Sequence, residues 1–253
     1  IIAMDLAAQA TADGYTLLVS AGSLLASAMV QKKVRYDVRK AFAPITRLNS
    51  LCYILLVNPS LPVNSVKDLI AYAKSKPNAL TYGSSGVGAS GHLGGELFSS
   101  MTGVKMVHVP YKGSSPVLVD MISGQIQLGF TSAIAGMPHV KSGKLKVLAV
   151  TSPQRTRAFP DLPTISEAGV PGFDLTNWYG LFAPEGTPPE IVSTLHRNVV
   201  RALASPGVQA TFANDGVEAM ASSSPAEFKG LLAKEVDNWE TIIKIPGFAS
   251  SLR

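Results

Sequence analysis

Tyr82-Gly83-Ser84-Ser85-Gly86-Val87-Gly88-Ala89-Ser90-Gly91-His92 is the stretch from which the fold can be read. The apolar run Leu80 to Tyr82 leads into it, and Leu93, Leu97, Phe98 and Met101 follow at helical spacing. A short strand, a loop of small residues and a helix in that order make one βα unit. Further apolar runs, Tyr15–Val19, Tyr53–Val57, Val104–Val109, Ile126–Phe130, Leu145–Val150 and Leu175–Phe182, are bounded by Gly, Pro, Asn or Ser. Continuous runs of this kind suit strands buried on both faces. Helix starts lie among them. Ser65-Val66-Lys67-Asp68, Thr187-Pro188-Pro189-Glu190 and Ser224-Pro225-Ala226-Glu227 each offer a hydroxyl to the third residue's N–H and a carboxylate that reaches back. Ser115-Pro116 and Ser205-Pro206 open two shorter helices. Strands alternating with helices predict an α/β fold with mostly parallel sheets.

The chain has 253 residues, enough for two domains that each bury a core. Apolar residues at 46% and charged residues at 15% exclude a disordered chain. The apolar runs are far shorter than the roughly 20 residues of a membrane-spanning helix. Lys+Arg 22 against Asp+Glu 17 leave +5. The longest basic cluster, Lys32, Lys33, Arg35, Arg39 and Lys40, is interrupted by Asp37 and apolar residues, so the surplus favours small anions over a nucleic acid. The one cysteine, Cys52, lies in an apolar run and reads as a buried small hydrophobe, with no disulfide and no zinc spacing. The chain begins Ile1-Ile2, without initiator Met or leader, as a processed or truncated product would. Asn58-Pro59-Ser60-Leu61-Pro62 and Trp178-Tyr179-Gly180 interrupt the pattern. Two interruptions predict a first lobe from residues 1–58 and 181–253 and an inserted second lobe from residues 59–180, with a hinge and a cleft.

Chemistry concentrates in the Tyr82 to His92 stretch. Its four Gly allow close backbone approach, its three Ser supply hydroxyls, and the following helix points free N–H groups at the loop. That combination is an anion site, with Ser84, Ser85, Gly86, Gly88 and Ser90 as its candidate residues. Gly86-x-Gly88-x-x-Gly91 imitates the dinucleotide fingerprint, but the next strand ends His108-Val109-Pro110-Tyr111-Lys112 without a carboxylate for a ribose. His92 stands where a phosphate-binding loop needs Lys, and no GxSxG elbow is present. The four histidines fall in separate elements, and only His92 and Glu96 share a helix face, as a helix-start His beside a surface Glu; that is too few ligands for a catalytic metal. Neither a Ser/His/Asp cluster nor an acidic pair stands out, so a binding protein is favoured over an enzyme. Ser20-Ala21-Gly22-Ser23, Lys112-Gly113-Ser114-Ser115 and Thr131-Ser132-Ala133 also follow predicted strands. Ligands of open α/β sheets sit at the carboxyl ends of strands, so these loops are expected to share one crevice.

Asp13-Gly14-Tyr15-Thr16-Leu17-Leu18, Asn58-Pro59-Ser60-Leu61-Pro62-Val63, the Tyr82 to Leu93 stretch, Val107-His108-Val109-Pro110-Tyr111-Lys112-Gly113, Gly143-Lys144-Leu145, Ala149-Val150-Thr151-Ser152, Asp161-Leu162-Pro163-Thr164 with Glu167-Ala168-Gly169, and Trp178-Tyr179-Gly180 with Pro184 occur in an ordered series. The series resembles the Bug family, the TctC-like extracytoplasmic solute receptors of tripartite tricarboxylate transporters. It runs from about Leu6 to about Trp239. The resemblance implies a two-lobed periplasmic-binding-protein fold of Venus-flytrap, type II-like form. It also implies a periplasmic monomer that needs neither cofactor nor metal and delivers a small carboxylate to membrane transporter subunits. Carried over by position, Ser20, Ala21, Gly22 and Ser23 fall to the first lobe's share of the site, and Tyr179 joins the candidate ligand-binding residues at the end of the second lobe. Thr131 and Ser132 stand where many relatives place Asp and then Asn or Ser, which disfavours an amine-bearing ligand such as aspartate. Relatives carry a strand, a Pro/Gly-rich pincer loop, a helix and a further strand ahead of the segment that here starts at Ile1. A first lobe lacking that N-terminal unit would be short of stability or completed by a partner chain. A sensor acting on a membrane signalling partner is the alternative reading, and a hydrolase using the Ser-rich loop a weaker one.

Overall fold

The computed structural model describes residues 2–22, 37, 40–156, 158–214 and 217–243. Ser23, Lys32, Lys33, Arg35 and Arg39 lie outside them. In chain order the elements are α1 (Ile2–Ala8), β1 (Leu18–Ala21), β2 (Phe42–Arg47), β3 (Asn49–Val57), α2 (Val66–Ser75), β4 (Thr81–Ser84), α3 (Ser90–Thr102), β5 (Val107–Pro110) and α4 (Ser114–Ser123). They continue as β6 (Leu128–Ser132), α5 (Ala133–Lys141), β7 (Lys146–Val150), β8 (Thr176–Asn177), β9 (Tyr179–Pro184), α6 (Pro189–Leu203), α7 (Pro206–Asn214), β10 (Glu218–Ala219) and α8 (Pro225–Ile243). The chain is α/β and divides into two compact units. The first ends at Ser50 and resumes at Asn177, and the second runs Leu51–Thr176.

In the second unit, β6 and β7 pair antiparallel with β3, and β4 pairs parallel with both β6 and β5. Strand side chains alternate between faces, and in β3 both faces are apolar. Leu55 and Val57 join one core with Leu69 and Ala73 of α2, Phe98 of α3 and Phe173. Cys52, Ile54 and Leu56 join a second core with Val117 and Met121 of α4 and Ala133 of α5. This is a layered α/β/α unit, and it explains why the run from Leu51 to Val57 carries no polar alternation. Burial pushes the Cys52 thiol up, against a hydrogen bond from Thr156 that holds it down. In the first unit β9 lies between β1 and β2, antiparallel to both, and β10 pairs with the start of β3. Phe182 faces Met4, Leu18, Phe42, Trp178 and Phe228, while Leu181 and Ala183 face Ile45 and Val192 of α6.

Three helix starts test the local reading. At α2 the Asp68 N–H donates to Ser65 Oγ at 3.1 Å, and the Asp68 carboxylate accepts from the Asn64 N–H at 3.0 Å. At α8 the Glu227 N–H donates to Ser224 Oγ at 3.1 Å, and the carboxylate accepts from the Ser223 N–H. The expected box at Thr187 does not form. Pro188, preceding Pro189, is held extended at ψ 137 and so becomes the cap itself, which leaves Thr187 outside the helix with its hydroxyl donating to the Pro184 carbonyl at 2.8 Å. The expected strand Leu175–Phe182 is divided at Trp178, whose N–H donates to the Asn177 side chain at 3.0 Å and not to a ladder partner. Strand β2 escaped the sequence reading because Pro44 breaks its pattern; the register with β9 shifts between Pro44 and Thr46. Among the described residues no helix is long and apolar enough to cross a membrane.

Candidate functional site

Parallel pairing brings the carboxyl ends of β5, β4 and β6 to one edge of the second unit, and a helix starts from each: α4, α3 and α5. Gly113 and Ala89, the caps of α4 and α3, have no side-chain acceptor to offer, and Ser132, the cap of α5, makes no capping bond. By contrast, Ser65 closes α2. An uncapped helix start presents free N–H groups and the positive end of its dipole, the chemistry that suits an anion, and three such starts lie along this one sheet edge. The tight turn from β4 into α3 needs left-handed backbone at Gly86 (φ 140) and Gly88 (φ 79). A Cβ on Gly91 would stand 2.7 Å from the Phe130 carbonyl oxygen, so glycine there lets α3 start directly over β6.

The candidate residues divide by unit. Ser84, Ser85, Gly86, Gly88 and Ser90 form the β4–α3 turn, and Thr131 and Ser132 end β6 beside it. Ser85 is exposed, whereas Ser84 and Thr131 are buried. The Ser84 hydroxyl is engaged within the protein: it donates to the Gly86 carbonyl at 2.9 Å, accepts from the Gly86 N–H at 3.3 Å and lies 2.7 Å from His108 Nε2. In the first unit, Ala21 is the register partner of Tyr179, and the Gly22 N–H donates to the Trp178 carbonyl at 3.0 Å. Ser20 is buried and Tyr179 exposed. A Cβ on Gly22 would meet the Trp178 ring at 2.6 Å. A groove of about 580 Å³ also lies in the first unit, lined by Phe42, Phe182, Val192, Leu232 and Val236; no candidate residue borders it.

Sequence reading missed what lies beneath the β4–α3 turn. His92 is fully buried at 0% exposure beside the partly exposed Glu96, and its ring stacks on His108 with centroids 4.0 Å apart and planes at 15°. Tyr82 also stacks on His108, at 4.9 Å. The Gly88 N–H donates to His92 Nδ1 at 3.0 Å, and the Tyr82 hydroxyl donates to Glu96 at 2.6 Å. Spacing along the chain could not show the Ser84–His108 contact. The usable signal was the parallel pairing of two predicted strands, which sets Tyr82 opposite His108. Among the described residues no group of three metal-ligating side chains occurs.

Desolvation holds both imidazoles neutral, with His92 lowered to about 4, further depressed by His108, and His108 to about 4. Burial, then the Glu96 carboxylate, pushes the Tyr82 phenol up. A histidine titrating lower when folded than its ordinary 6.5 leaves the unfolded chain to take up the extra proton. The contribution is intact above pH 6.5 and is lost as pH falls towards 4. Melting temperature therefore declines across that window, and a His92→Asn, His108→Gln double variant shows a flatter decline in thermal melts taken at each pH. Parallel curves would contradict this assignment.

The chain folds as two compact units, and the second carries three uncapped helix starts at one strand edge. Residues 1–248 match the model of the Tripartite tricarboxylate transporter family receptor, TctC, and the chain belongs to that family. It is a family of periplasmic solute-binding receptors, not of enzymes. Protein BugT of Bordetella pertussis is 33% identical over 98% of this chain and 76% of its own length. The R. palustris protein Rpa4515, solved with adipate, superposes with a TM-score of 0.86 at 38% identity, over 98% of this chain and 82% of that one. MatC of Rhodopseudomonas palustris, solved with bound malate, gives a TM-score of 0.82 at 28% identity, over 96% and 84%.

Proposed function

We propose that this chain is a periplasmic receptor that captures a small carboxylate and hands it to membrane subunits of a tripartite tricarboxylate-type transporter, acting as a monomer without cofactor or metal. The observation that carries the reading is the set of three uncapped helix starts at the edge formed by β5, β4 and β6. Backbone N–H groups there match the acceptor oxygens of a carboxylate, and charge-assisted bonds of this kind are about twice as strong as neutral ones. The net charge of +5 favours an anion's approach. Adipate and malate in two related proteins point to the same ligand class. The solute's second-unit contacts are Ser84, Ser85, Gly86, Gly88, Ser90, Thr131 and Ser132, with Ser84 acting through its backbone. The first-unit share is Ser20, Ala21, Gly22, Ser23 and Tyr179.

Thermal melts against a panel of adipate, malate, succinate, citrate, benzoate and aspartate test the proposal. A ligand at about 100 times its Kd adds about 2.7 kcal/mol to the folded state, so at least one carboxylate raises the melting temperature by several degrees. Thr131 offers no charge to an amine, so aspartate is expected to fall below succinate. A panel in which no carboxylate shifts the transition would overturn the reading.

A further inference from the structure

The hydrogen bonds set each of the two stacked histidines against one residue of the turn. Ser84 Oγ has one proton, and the Gly86 carbonyl at 2.9 Å takes it. The same oxygen accepts from the Gly86 N–H at 3.3 Å and lies 2.7 Å from His108 Nε2. His92 Nδ1 accepts from the Gly88 N–H, so its own proton sits on Nε2, the nitrogen 3.9 Å from the Glu96 carboxylate. Glu96 is in turn held by the Tyr82 hydroxyl. One imidazole thus grips the first residue of the turn and the other grips its middle glycine. The two rings lie 4.0 Å apart and come from different elements, His108 from β5 and His92 from α3.

We infer that His92 and His108 are positioning residues for the anion loop: by holding Gly88 N–H and Ser84 Oγ from below, they fix the direction in which the loop's remaining amides point before any solute arrives. The inference rests on the loop being the carboxylate site. The physical need is clear from the loop's composition. Gly86 and Gly88 occupy left-handed backbone and have no side chain to restrain them, so an unanchored turn would lose the most conformational freedom on binding. The imidazole acceptor removes that cost in advance. An aliphatic residue at position 92 would fill the space and leave the Gly88 N–H buried without an acceptor.

Separating the hydrogen bond from the ring decides the matter. His92→Phe keeps a planar ring of similar size for the stack and removes the acceptor. His92→Asn places an amide oxygen where Nδ1 stood and removes the ring. Hydrogen exchange of the Gly88 amide, followed by NMR on the solute-free protein, is expected to speed up at least about 100-fold in His92→Phe and to return to within about threefold of wild type in His92→Asn. Calorimetric titration with the tightest carboxylate of the panel should follow the same order, with affinity at least tenfold weaker in the Phe variant and most of it restored in the Asn variant. His108→Phe and His108→Gln make the matching pair for the Ser84 contact. Equal Gly88 protection in wild type and His92→Phe overturns the inference, and so does equal loss in both variants, which would assign the role to ring packing. If no carboxylate binds the wild type, the proposed function fails, while Gly88 exchange in the two variants still tests whether His92 anchors the turn.

Discussion

Gly95→Ala lowers the melting temperature of the protein by roughly 2–12 °C, while Gly230→Ala, the same change in another helix, raises it slightly. Alanine is the better helix former by about 0.5–1 kcal/mol, and at Gly230 of α8 nothing lies within 4 Å of the added methyl, so propensity decides. At Gly95 of α3 the methyl would stand 2.2 Å from Cε2 and 2.4 Å from Cζ of Tyr82. That ring is fully buried, stacked on His108 and held through its hydroxyl by Glu96, so it cannot swing aside. Helix α3 must lift from the sheet. Overpacking of this kind costs about 1–3 kcal/mol, and each kcal/mol moves the midpoint of a chain this size by about 2–4 °C. Thermal melts of the two variants side by side check the opposite signs. A Gly95→Ala protein as stable as wild type would mean that α3 does not sit against Tyr82 as described.

Gly91→Ala strikes the proposed site. Its methyl would lie 2.7 Å from the Phe130 carbonyl oxygen, which belongs to the backbone of β6, with Ser84 Cβ at 3.4 Å. The first turn of α3 has to move off the ends of β4 and β6, and the anion loop moves with it. We expect carboxylate affinity to fall by at least about tenfold, or about 1.4 kcal/mol, with a smaller loss of stability than at Gly95 because the shift falls at the helix end. Calorimetric titration alongside a melt separates the two effects. Unchanged affinity would show that the solute does not depend on where α3 begins.

Those two glycines show how far the sequence could be read. The chain's α/β character was legible in β3 because an apolar run without polar alternation has one main use, a strand covered on both faces. The loop from Gly83 to Ser90 was legible as a strand-to-helix turn because small residues, hydroxyls and a helix start coincide there. Gly94 and Gly95 carried no such mark, since a glycine inside a helical pattern looks the same whether it faces a ring or solvent; Gly230 is the counterexample. His92's burial was hidden for a related reason. Its local partner Glu96 is visible at helical spacing, but the residues that bury it, His108 above all, are brought there by strand pairing. Strand β2 was hidden by Pro44, and the Thr187 cap was displaced by two prolines whose joint effect on backbone angles outweighs the hydroxyl.

The buried thiol of Cys52 has a practical consequence. Enclosed at 7% exposure and held protonated by desolvation, it is a poor nucleophile, since only the thiolate attacks alkylating reagents. The protein is therefore chemically silent towards maleimides in its folded state. A new cysteine at Lys112 or at Lys229, each exposed in its own unit, would carry a single fluorophore without removal of the native residue.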